Sequence, residues 1–134
     1  MPRMTTTGQG WTAATLGDMG DGPGFRKVRK ELGVEAFGVN AIVMPPGIET
    51  GFHYHDEQDE LYFVHEGRIE MEFGDGETIE LDRGGFAHVA AAAHRKVKNT
   101  GDADAVYVVV GGKGGYVGRD GQTPDDGPRV QPSA

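Results

Sequence analysis

The sequence predicts an all-β protein, a sandwich or a small closed barrel. Three observations carry this. From Val34 to Val110 apolar residues recur with period two in short runs, the signature of half-buried strands. Turn-forming groups such as Pro45-Pro46-Gly47, Gly74-Asp75-Gly76 and Asp82-Arg83-Gly84-Gly85 separate those runs. Between them no segment keeps a helical period long enough to compete, so strands must pack on strands.

Taken in order, residues 1–24 are polar and glycine-rich, with Trp11 and Leu16 the large apolar anchors before Met19. They read as a loose N-terminal arm suited to packing on a partner subunit. Phe25 to Leu32 leaves two choices open. Phe25, Val28 and Leu32 have helical spacing, yet the segment is short, charged and ended by Gly33, which suits an edge strand as well. Phe37 to Val43 alternates as a strand. Phe52 to His55 and Glu60 to His65 read as strands joined by the polar run Asp56 to Asp59. Arg68 to Phe73 places Ile69, Met71 and Phe73 on one face, and a hairpin leads to Thr78 to Leu81. Phe86 to Val89 and Arg95 to Asn99 follow, joined through Ala90 to Ala93. Ala105 to Val110 is apolar enough to be buried on both faces. A barrel domain over 25–117 is expected, then a flexible tail over 118–134, where Gly, Asp and Pro dominate.

The chain of 134 residues suffices for one core and not for two ordinary domains. Thirteen basic against twenty-one acidic residues give a net charge of −8, which disfavours nucleic acid and anionic membrane as partners. Cysteine is absent, so neither disulfides nor thiolate chemistry is available. The only serine is Ser133, in the expected tail, which excludes a serine nucleophile. No apolar run resembles a signal or a membrane span, and a cytoplasmic location is expected.

The chemistry-bearing stretch lies between Gly47 and Gly67. His53 and His55 stand two apart, so in a strand both face one way while Tyr54 faces the other. Glu60 opens the next strand. Two imidazoles and a carboxylate form a facial two-His-one-carboxylate set, which suits Fe, Mn, Ni, Zn or Cu without choosing among them. Read alone, the pair could equally be surface histidines in an acidic loop.

Spacing strengthens the metal reading. Glycine, five residues, His-x-His, four residues, glutamate, six residues and glycine is the pattern met by Gly47, His53, His55, Glu60 and Gly67. It closely resembles the first motif of the cupin superfamily. The resemblance spans roughly Val34 to Val110 and implies a double-stranded β-helix, or jelly-roll, barrel. It also implies a divalent transition metal in the barrel and chemistry on a small organic anion, such as dioxygenation, isomerisation, epimerisation or decarboxylation.

The family's second motif is degenerate here. Gly84 and Asn99 keep their places, but Ala90, Ala92 and Arg95 occupy the proline, glycine and histidine positions. His94 sits one residue early. Strand period turns Arg95 inward with Val97 and turns His94 outward with Lys96 and Lys98. A bulge in Ala90 to Ala93 would reverse this and make His94 a third imidazole ligand. Arg95, if inward, could receive a substrate carboxylate by a forked contact, or pair with Glu60 in a metal-free pocket.

Other residues admit plainer readings. Tyr62 is in step with Glu60, as a pocket wall or an ordinary core tyrosine. His65 and His88 read as packed or surface histidines. Gly111-Gly112-Lys113-Gly114-Gly115 follows a strand but opens no helix, and a linker suits it better than a phosphate loop. Two functions remain in view. One is a metal-dependent enzyme, with Glu60 as ligand or general base and Arg95 and Tyr62 beside the substrate. The other is a metal-free small-ligand binding or sensing module. A homodimer is expected in either case.

Overall fold

A computed structural model describes residues 5–118 and 120–123. The elements in chain order are β1 (Thr6–Gly8), β2 (Trp11–Ala13), β3 (Gly24–Arg26), α1 (Val28–Leu32), β4 (Gly38–Met44), β5 (Tyr54–His55) and β6 (Asp59–Glu66). They continue with β7 (Arg68–Phe73), β8 (Thr78–Asp82), β9 (Phe86–Val89), β10 (Arg95–Lys98), β11 (Ala105–Gly112) and β12 (Gly121–Gln122). Among the described residues no helix is long and apolar enough to cross a membrane.

The larger sheet runs β3-β4-β11-β6-β9 and the smaller one β10-β7-β8, with antiparallel pairing throughout. The chain before β5 extends the smaller sheet, bridging Glu49 to Lys98 and His53 to Arg95. Both sheets feed one core. Ile42, Met44, Tyr62, Val64 and Tyr107 come from the larger sheet, and Ile69, Met71 and Val97 from the smaller. The result is an all-β double-stranded β-helix, the jelly roll expected. Val64, Ile69 and Met71 are fully buried, and each such side chain stabilises the fold by about 2 kcal/mol.

The ambiguous stretch from Phe25 to Leu32 holds both alternatives in turn. Its first part is the edge strand β3, and its second is a single helical turn, α1, closed by Gly33 at φ 72°. The start of the chain is more structured than its composition suggests. Thr6 to Ala13 forms a hairpin, with Gly10 at φ 85° in the turn and the Trp11 ring lying over Gly8. At Gly67, between β6 and β7, a Cβ would come within 2.8 Å of the Asp104 carbonyl, so the family glycine is required by close approach as well as by φ 77°.

The expected tail also needs correction at its near end. Gly121 and Gln122 form β12, paired with β5, and Asp120 is buried. The remainder of that tail, residue 119 and residues 124–134, lies outside the described residues.

Candidate metal centre

β5 and the bridge before it place the two histidines. His53 exchanges both backbone hydrogen bonds with Arg95, and His55 N–H donates to the Ala91 carbonyl. Their side chains therefore share the interior face and are 4 % and 3 % exposed. Tyr54 points the other way. Glu60 arrives from the start of β6, also buried. Ligand-capable atoms of His53, His55 and Glu60 all lie within 4.8 Å of one another. The two imidazole rings meet edge-on, 5.6 Å apart at 82°.

The donors suit a cation. Both ring nitrogens of His53 and Nε2 of His55 are buried without a hydrogen-bond partner. An unsatisfied buried polar atom is costly, and a single cation could serve one nitrogen of each ring. His55 Nε2 stands 3.2 Å from Glu60 Oε2, close enough for attraction but not aligned as a hydrogen bond. Two neutral imidazoles and a carboxylate are a ligand set for a divalent transition metal.

Burial, reinforced by the Arg95 charge, holds the His53 pKa down at about 4, so this ring is a neutral ligand at physiological pH. Burial also opposes the His55 cation, but the carboxylates of Glu60 and Asp120 outweigh it and raise its pKa. Burial works against ionisation of Glu60 as well. Contacts with His55, Arg95 and Tyr62 reverse that and draw its pKa down to about 2.

Arg95 faces the interior, as strand period expects, and is fully buried. Nη2 donates to Glu60 Oε1 at 3.0 Å, and Nε reaches Tyr62 Oη at 3.4 Å. Nη1 donates to the carbonyls of Ala91 at 3.0 Å and Ala93 at 2.6 Å, with Ala90 at 3.4 Å. Both edges of the guanidinium are thus engaged by the protein, and a forked contact to a substrate carboxylate would have to displace one of them. Arg95 instead clamps the loop that lacks proline and glycine. Tyr62 is fully buried and donates to Glu60 Oε1 at 2.7 Å. It supports the carboxylate from behind.

His94 does not join this cluster. β10 pairs with β7 in unbroken register from Arg95↔Phe73 to Lys98↔Glu70, so His94 falls on the opposite face. Its ring stacks on Tyr54 at 4.5 Å, with only 3° between the planes. Asn99, the other retained residue of the second motif, is a structural pin. Its amide donates to the Met44 and Ala103 carbonyls at 2.8 Å each, and its oxygen accepts from Gly101 N–H.

Two residues at the site escaped sequence reasoning. Asp120 Oδ1 is 2.8 Å from His55 Nδ1, while Oδ2 accepts the backbone N–H groups of Glu57 and Gln58 at 2.9 Å each. Gln58, 2 % exposed, brings its amide nitrogen to 3.1 Å from the same His55 nitrogen. No spacing rule links Asp120 to a histidine so far back. For Gln58 the available signal was an uncharged side chain inside an otherwise acidic loop.

A jelly roll with two imidazoles and a carboxylate gathered on its inner wall defines a class of small β-barrel proteins able to hold one metal ion. The chain belongs to the cupin family. The family model described as a cupin domain matches residues 40–111, more than half of the chain. A curated relative, polyketide synthase CurC of Streptomyces cyaneus, is 33% identical over 66 residues. That match covers 49% of this chain and 42% of the relative, so the chain spans less than half of that protein's length. Solved structures agree on the fold. A cupin protein from Bacteroides fragilis has TM-score 0.59 and 23% identity, covering 69% of this chain and 77% of that one. A double-stranded β-helix protein from Klebsiella pneumoniae has TM-score 0.56 and 24% identity, covering 59% and 69%.

Proposed function

We propose that this cupin binds one divalent transition metal through His53, His55 and Glu60 and acts on a small organic molecule that presents an anionic oxygen to the metal. The observation that carries this reading is the set of orphaned imidazole nitrogens, buried beside an ionised carboxylate. A metal held by these residues would supply Lewis acidity, or activation of dioxygen, at the positions the protein leaves open. The residues themselves do simpler work. His53 offers a neutral donor, while His55, whose cation the Glu60 and Asp120 carboxylates favour, would give up a proton to a bound metal. Arg95 and Tyr62 hold Glu60 Oε1, which leaves Oε2 turned toward His55 and the cluster. With its pKa near 2, Glu60 is a weak proton acceptor, so it serves as a ligand in preference to a general base.

Dioxygenase-, isomerase- and epimerase-like reactions all suit such a site, and the fold does not choose among them. We take the working unit to be a cytoplasmic homodimer.

A second reading has one observation in its favour. Arg95 pairs with Glu60, as a metal-free binding or sensing module would require. Metal analysis separates the two. Protein purified without chelator should carry about one transition metal per chain, and His53→Ala and His55→Ala should each lose most of it. Protein that is metal-free and also refuses added Fe, Mn, Ni, Zn and Cu would leave the binding module standing.

A further inference from the structure

We propose that Asp120 is a positioning residue for His55, fixing the imidazole tautomer that turns a bare Nε2 toward Glu60 and the metal position. The proposal rests on the metal reading above for its purpose, though not for its geometry.

The Asp120 carboxylate is 6 % exposed, and its two oxygens have distinct partners. Oδ2 accepts two backbone N–H groups, from Glu57 and Gln58. These bonds favour the ionised form, and an ionised carboxylate can only accept. Oδ1, 2.8 Å from His55 Nδ1, therefore requires the hydrogen on Nδ1. In a neutral ring Nε2 then carries the lone pair, which is what a metal ligand must present. Carboxylate, imidazole and metal in series is a general device for orienting a ligating histidine and raising its basicity.

Gln58 is the competitor. Its amide nitrogen also lies 3.1 Å from Nδ1 and would favour the opposite tautomer by donating there. The carboxylate contact is shorter and charge-assisted, so it prevails. Exchanging the nitrogen and oxygen of the amide lets Gln58 accept a share of the same N–H.

Asp120 is carried by a strand that docks on the ligand strand itself. β12 pairs Gly121 with His55 and Gln122 with Tyr54. Asp56 N–H donates to the Asp120 carbonyl at 3.1 Å, and the Gln122 amide donates to Asp56 at 2.9 Å. The segment thus holds the ligand loop from outside the barrel while its one buried carboxylate reaches the imidazole.

The test has two readouts on the full chain. Nitrogen-15 NMR of the chelator-treated protein reports the His55 tautomer without metal. At a pH high enough to keep the His55 ring neutral, wild type should show the hydrogen on Nδ1 alone, and Asp120→Ala should lose this preference. Zinc titration by calorimetry should show affinity reduced about 10- to 100-fold in Asp120→Ala. Asp120→Asn, which keeps a neutral acceptor in the same shape, should fall between wild type and Asp120→Ala in both readouts. It also replaces the alanine variant should that one not fold. Gln122→Ala removes a bond of the strand without touching His55 and should leave both readouts at wild-type values. Hydrogen on Nε2 in wild type, or unchanged tautomer and zinc affinity in the Asp120 variants, would overturn the proposal. A wild type that refuses zinc and every other metal would instead count against the metal reading, with the tautomer still deciding the role of Asp120.

Discussion

Arg95 and Glu60 form an ion pair, Nη2 to Oε1 at 3.0 Å, with the guanidinium fully buried and the carboxylate 5 % exposed. Neither charge can be removed alone without stranding the other in the barrel. Arg95→Ala should therefore lower the stability of metal-free protein by about 3–5 kcal/mol, read as a drop in the denaturant midpoint. A bound cation would take over as partner of Glu60. Added metal should then raise the melting temperature of Arg95→Ala by more than it raises that of wild type. An equal shift in both proteins would mean that Glu60 does not face the metal.

Arg95→His places a third imidazole on the interior wall of β10. Its metal affinity by calorimetry should exceed that of wild type. Its metal-free melting temperature should fall, because the Ala93 carbonyl loses its Arg95 donor and Ala91 keeps only the His55 N–H. Tighter metal binding without the fall would show that the clamp contributes little.

His94 stacks on Tyr54, away from the cluster. His94→Ala should leave metal affinity unchanged and cost about 1 kcal/mol through the lost ring contact. Loss of metal binding in this variant would put His94 inside the ligand set.

The inner-facing part of the site was legible because alternation is a strong constraint. His53 and His55 share a face, and Lys96 and Lys98 pull one side of β10 toward solvent, so Arg95 had to face inward. The use made of Arg95 was not legible. A guanidinium inside a barrel reads as a receptor for anions, and only the geometry shows it bound to the carbonyls of Ala90, Ala91 and Ala93. Asp120 was hidden for a different reason. It lies in a stretch rich in glycine, aspartate and proline, the composition of an unstructured tail, and what orders it is pairing with a strand far back in the chain. The β1–β2 hairpin was missed because two three-residue strands holding Trp11 as their one large apolar residue carry no apolar period.

Asn99 tests whether the second motif survives for structure alone. Asn99→Ala strips a buried donor from the Met44 carbonyl and a part-buried one from Ala103, and should cost about 2 kcal/mol in unfolding free energy. Metal affinity per folded molecule should stay at the wild-type value. A selective loss of metal binding would give Asn99 a part in the site.

Light scattering at micromolar concentration should return the mass of a dimer. Trp11 is 53 % exposed on the β1–β2 hairpin, and Phe86 on the edge strand β9 is 62 % exposed. If the hairpin reaches across to a second copy, Trp11→Ala should shift the protein toward monomer on dilution. A monomeric wild type would refute the dimer outright.

The contact between His55 and Asp120 joins residues 65 positions apart, whereas His53, His55 and Glu60 fall close together in the chain. During synthesis from the N-terminus the three ligands leave the ribosome early, and the carboxylate that orients one of them leaves only after the last long strand, β11. A chain cut short of Asp120 would keep all three ligands yet leave His55 free to carry its hydrogen on either nitrogen.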